Sequence, residues 1–172
     1  MNNNTFKHTD FSGDFISLHN CTIDKISYND GVLSFLFCDG FWVKPTHHAN
    51  STEKNLRTSE AKVDFTASTD NTKIAIYRRG LFGNTVKKDL TTDALCDLVN
   101  NKNTSLEIIG TYPSEGATLI KCWARDKKSD KVSECHIELA PTKNTYYWSF
   151  LFTSKIPPRG HQFLAEGFSF SF

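Results

Sequence analysis

The sequence predicts a mainly β (α+β) fold: two antiparallel sheet layers, a sandwich or a partly open barrel, with one short helix. Three observations carry that expectation. Short runs with apolar alternation recur along most of the 172 residues. Turn residues separate them, as at Asn29-Asp30-Gly31, Asp39-Gly40 and Pro113-Ser114-Glu115-Gly116. Helical spacing of apolar residues behind an N-cap occurs at one place, Leu95, Leu98 and Val99 after Thr91-Thr92-Asp93, and it ends at Asn100-Asn101.

The length fits a single domain over residues 1–172, with residues 1–12 as a flexible N-terminus. In Phe15 to Lys44, Ile16, Leu18, Ile23 and Ile26 mark strands, and the change of parity between Ile23 and Ile26 requires a bulge or a break. Asn29-Asp30-Gly31 tolerates positive φ and predicts a hairpin. The nearly continuous apolar run Val32 to Cys38 reads as a strand covered on both faces. Asp39-Gly40 turns the chain into Phe41-Trp42-Val43, which Pro45 stops.

Thr46 to Glu60 is polar and without period, so it reads as a surface loop. Strands follow at Ala61 to Ser68 and Lys73 to Arg79, around Thr69-Asp70-Asn71. Gly80 to Leu90 reads as a second irregular segment. After the helix, Ser105 to Tyr112, Ala117 to Arg125, Lys131 to Leu139 and Tyr146 to Thr153 predict an antiparallel meander, and Gly167 to Phe172 alternates like a terminal edge strand.

Charge is balanced, 20 basic against 19 acidic residues. A duplex-binding domain draws its affinity from a basic surplus, so nucleic acid is disfavoured. The five cysteines, Cys21, Cys38, Cys96, Cys122 and Cys135, are an odd number without tight spacing. The N-terminus lacks a signal-peptide pattern, and no run reaches the roughly 20 apolar residues of a membrane span. These features predict reduced thiols and a cytoplasmic location.

Catalytic patterns are missing. There is no nucleophile elbow and no phosphate-binding glycine loop; Gly80-Leu81-Phe82-Gly83-Asn84 lacks the lysine and the strand–helix context. His19-Asn20-Cys21 brings a thiol near an imidazole, but reads as a surface histidine beside a structural cysteine. Adjacent His47 and His48 diverge on extended backbone, and no metal-ligand spacing appears, so no cofactor or metal is predicted. Glu134, His136 and Glu138 read as the wet face of a strand whose Cys135, Ile137 and Leu139 point inward.

What remains is aromatic and arginine density at strand ends, the residue types enriched at protein–protein hot spots. The predicted recognition surface combines the two irregular segments with their flanks: Trp42, His47 and His48 around the first, Tyr77, Arg78, Arg79, Lys87 and Lys88 around the second. Leu18-His19-Asn20-Cys21-Thr22-Ile23, Asn29-Asp30-Gly31, Leu33 to Phe37 and Asp39-Gly40-Phe41-Trp42 resemble the opening of small bacterial immunity proteins of the contact-dependent-inhibition and polymorphic-toxin type. That resemblance covers about a quarter of the chain. It implies a cytoplasmic binding protein, without enzyme activity, that neutralises a secreted toxin domain. The alternatives are a nucleic-acid-binding β domain, with Lys121, Arg125, Lys127, Lys128 and Lys131 along phosphates, and an enzyme whose site has no sequence signature.

Overall fold

The computed structural model describes residues 6–80, 84–101 and 104–152. In chain order the elements are β1 (His8–Asp10), β2 (Ile16–Ser17), β3 (Thr22–Ile23), β4 (Lys25–Asn29), β5 (Val32–Phe37), β6 (Trp42–Val43), β7 (Leu56–Thr58) and β8 (Ala61–Thr66). A 3-10 turn at Thr69–Asn71 leads to β9 (Thr72–Arg79), β10 (Thr85–Leu90) and α1 (Thr92–Asn100). The chain then runs through β11 (Thr104–Ser114), β12 (Ala117–Asp126), β13 (Val132–Leu139), β14 (Lys143–Trp148) and β15 (Leu151–Phe152). No helix among the described residues is long and apolar enough to cross a membrane.

The strands form three antiparallel sheets: β1-β14-β8-β5-β4, β10-β9-β13-β12-β11-β3 and β15-β7-β6-β2. The mainly β expectation with one α-helix holds. The inward faces of the sheets meet in one apolar core. It draws Leu33, Phe35, Val63 and Phe65 from the five-stranded sheet, and Ile76, Ile108, Ile120 and Ile137 from the six-stranded one. Phe41 joins the four-stranded sheet to this core, with Phe37, Tyr146 and Trp148 at ring-centroid distances of 6.2, 6.1 and 5.8 Å.

Local chemistry explains the connections. Asp30 (φ 50°) and Gly31 (φ 77°) make the two-residue turn of β4–β5, whose twist matches that of the flanking strands. The parity change before Ile26 is a true break, because β3 and β4 belong to different sheets. Gly40 (φ 72°) hands the chain from β5 to β6, and a side chain there would collide with Thr58. Thr91 caps α1 by accepting from the Ala94 N–H at 3.2 Å. Leu95 and Val99 enter the core, while Leu98 is only half-buried, unlike the uniform stripe that the spacing predicts.

Other expectations are corrected. The polar stretch Thr46 to Glu60 contains β7, whose Leu56, Arg57 and Thr58 are all buried. Arg57 sits inside because its Nε donates to the Asp39 carbonyl at 2.8 Å and its guanidinium covers the Trp42 ring at 4.8 Å. Thr85–Leu90 pairs with β9 in register, so the second irregular segment is largely a hairpin arm. β8 and β9 do not pair with each other, and β14 leaves the meander for the five-stranded sheet. β5 buries Leu33, Phe35 and Phe37 and leaves Val32, Ser34 and Leu36 half-buried, so it is one-sided rather than covered on both faces. His8–Asp10, inside the segment expected to be flexible, pairs with β14. The alternating segment Gly167 to Phe172 lies outside the described residues.

No described cysteine is bridged. Cys122 and Cys135 face each other across β12–β13, in phase with the pair closed by the bond from the Asp126 N–H to the Lys131 carbonyl. They therefore occupy a hydrogen-bonded pair position, about 5.5 Å between Cα atoms. Burial pushes the Cys135 thiol up to about 12 and that of Cys122 well above its ordinary value. Alkylation of the native protein should reach exposed Cys38 first and half-buried Cys96 more slowly, with all five labelled after unfolding. Mass spectrometry of the labelled peptides checks this. A bridge, or native labelling of Cys122, would contradict it.

Candidate binding groove

Alternation along the six-stranded sheet sends Ile74, Ile76 and Arg78 to its inner face, and Lys73, Ala75 and Tyr77 to its outer face. The inner face is covered only as far as α1 and the five-stranded sheet reach. Past the helix a groove of about 660 Å³ opens, with Ile76, Leu98 and Ala124 along its apolar wall. Arg78, Arg79 and Lys131 rim it. A smaller hollow of about 280 Å³ continues from Ile76, Arg78 and Leu98 to Leu90 and Ala94, with Lys88 at its mouth.

The groove is cationic. No carboxylate among the described residues pairs with Arg78, Arg79, Lys88 or Lys131. Asp126 lines the same groove, but its carboxylate accepts from the Ser129 and Lys128 amides at 3.1 and 2.8 Å. Those two bonds hold it charged, below the usual carboxylate range. Arg78, Lys88 and Lys131 thus face one carboxylate that is already engaged by its own turn, and Arg79, which shares the parity of Tyr77, borders the groove from the strand end.

The outer face of the same sheet differs in kind. Lys73 pairs with Glu138 at 3.3 Å, Lys87 with Asp89 at 2.8 Å and Arg125 with Asp130 at 2.6 Å. His136 Nε2 lies 2.6 Å from Glu134, and its ring packs on Tyr77. Tyr112 and Trp123 are exposed there, at 52% and 41%, with Lys121 over the Tyr112 ring at 5.6 Å. Tyr112 and Trp123 are therefore on the face opposite Arg78, Lys88 and Lys131.

Trp42, His47 and His48 lie elsewhere, beside the four-stranded sheet. Trp42 is half-buried and packs against the core. His47 is buried, with its Nδ1 accepting from the Ala49 N–H at 3.0 Å and its Nε2 turned 3.3 Å from Asp10. The His48 ring, expected to diverge from it, lies tilted against it at 4.2 Å because the chain turns here, and Trp148 closes the pocket edge-on at 5.3 Å. Burial, helped by His48, lowers the His47 pKa, and Asp10 offsets only part of this. The folded protein therefore keeps His47 neutral, whereas in the unfolded chain it titrates near about 6.5. Below that pH the unfolded state binds more protons, so stability falls as pH drops from 7 to 5. Thermal melts across that range should show the loss. His47→Asn, whose amide oxygen can replace Nδ1 as acceptor, should flatten it; an unchanged pH profile would contradict the assignment.

Of the residues expected from sequence, Arg78, Arg79 and Lys88 come together at the groove. Tyr77 and Lys87 pair directly across β9–β10 but on the other face. Trp42, His47 and His48 form a third location. Lys131, which the sequence offered only as a phosphate contact in the nucleic-acid alternative, and Leu98, expected in the buried helix stripe, also line the groove. Cys21 is buried under Arg57, and burial raises its thiol to about 11 despite the guanidinium, so it stays protonated at neutral pH. His19 is exposed and binds the Ile109 carbonyl. Comparison with protein-family models, curated proteins and solved structures gave no match to this chain.

Proposed function

We propose that the chain is a stoichiometric protein-binding module, an immunity protein that acts in the cytoplasm and whose groove receives an acidic segment of a toxin domain. The observation that carries this reading is the separation of charge from aromatics. Arg78, Lys88 and Lys131 stand over an apolar wall without a carboxylate partner among the described residues, and Tyr112 and Trp123, the exposed rings of this sheet, are on the opposite face. Single-stranded nucleic acid is held by cations and stacking rings acting together in one groove. An acidic amphipathic segment needs only the cations and the apolar wall. Of the cations expected along phosphates, Arg125 and Lys121 face outward while Lys131 lines the groove, so they form no single track. The opening block that resembles immunity proteins agrees with the reading.

The test is co-expression with the product of the gene adjacent to the one for this chain, assayed for toxicity on its own. Restored growth and a 1:1 complex in light scattering are expected. Absence of both would overturn the proposal. So would tight oligonucleotide binding at physiological salt, with a steep loss between about 50 and 200 mM.

A further inference from the structure

Among the described residues β10 is an open edge. It lies at the end of the six-stranded sheet, and five of its six residues are exposed. The other long edge, β4, is blocked at its middle, where the Asn100 amide donates to the Ile26 carbonyl at 2.7 Å and accepts its N–H at 3.1 Å. At the far end of the six-stranded sheet, β3 is only two residues long.

The phase of β10 follows from its hairpin. The Gly80 N–H bonds to the Asn84 carbonyl directly opposite, and the register continues without a shift through Arg79↔Thr85 to Ile74↔Leu90. Hydrogen-bonded pairs therefore fall at Val86, Lys88 and Leu90. The backbone groups of Thr85, Lys87 and Asp89 point away from β9. Among the described residues they have no partner, and they present donors and acceptors to whatever strand comes alongside.

We propose that the occupant of this edge is β10 of a second copy, joined antiparallel about a two-fold axis through Lys88. In that register Lys87 lies opposite the second copy's Asp89, and Asp89 opposite its Lys87. Val86, 48% exposed in the single chain, meets the second copy's Leu90 on the inner face. A slip of two residues one way sets Lys87 against Lys87, and the other way sets Asp89 against Asp89. The two Lys87–Asp89 pairs and the Val86–Leu90 contacts thus favour this register, against the like-charge cost of the single Lys88 pair at the axis. The two Lys88 side chains meet at the axis and add to the cationic rim, so the dimer would carry both grooves on one face of a continuous sheet.

Sedimentation of the full chain over a wide concentration range tests this. The mass should double with concentration. Asp89→Lys, which opposes lysines at both pairs, should hold the protein monomeric, and K87D combined with D89K should restore the dimer. Lys87→Pro removes only an outward N–H, so it should abolish the dimer with little change in melting. A protein monomeric at every concentration overturns the proposal. A dimer indifferent to the charge swaps does so too. A monomer whose Lys87→Pro variant melts lower would mean that the chain's own remaining segment covers the edge, which also overturns it. None of these outcomes depends on a toxin partner.

Discussion

Phe41→Ala is expected to remove about 3–5 kcal/mol of stability, the usual cost of deleting a fully buried ring. The ring is inaccessible and sits edge-on to Phe37, Tyr146 and Trp148, so three neighbours lose a partner at once. The position also joins two sheets. Gly40 fixes the direction of entry, and the Phe41 N–H donates to Thr58 Oγ1 at 2.9 Å. A cavity there cannot be closed by moving one side chain, because the neighbours belong to different strands. Urea denaturation of the variant measures the loss. A cost under about 1 kcal/mol would mean that the sheets collapse onto the gap and that Phe41 is not their joint.

Reversing Arg78 and Arg79 together to glutamate is expected to abolish partner binding while the melting temperature stays the same. Both side chains are exposed and unpaired among the described residues, so their removal breaks no internal bond. Central arginines of an interface are worth about 2 kcal/mol each. Two of them correspond to roughly a thousandfold in affinity. Isothermal titration with the partner, beside a melt of the variant, separates recognition from folding. Unchanged affinity would remove the groove from the interface. A lowered melting temperature would mean that the arginines serve the fold.

Much of the fold was legible in the sequence where one face of a strand is buried. Alternation marked β12 and β13 with their faces, and Thr91 with Leu95 and Val99 located the helix. The hairpin at Asp30-Gly31 was legible because its backbone demands residues that accept positive φ. What stayed hidden has physical causes. β10 buries almost nothing, so it has no hydrophobic period to read. β7 buries an arginine and a threonine that are satisfied by side-chain hydrogen bonds to Asp39, Cys21 and Phe41, and composition alone makes such a segment look like a loop. Alternation reports which face is covered but not by which strand; that is why β14 was assigned to the wrong sheet. The candidate site was half legible for the same reason. Arg78, Arg79 and Lys88 stood out by type, but the pleat that divides Arg78 from Tyr77 was needed to see that they serve different faces. Trp42 and His47, chosen by type alone, are packed against the interior.

The central claim is that the partner is bound on the cationic inner face. Methyl and indole NMR spectra of the labelled protein, recorded with and without the partner that co-expression identifies, test it most directly, because side chains report which face is touched. The account predicts the largest shifts at the methyls of Leu90 and Leu98, which line the groove, with the exposed indole of Trp123 unmoved. A shifted Trp123 indole with Leu90 and Leu98 stationary would contradict it.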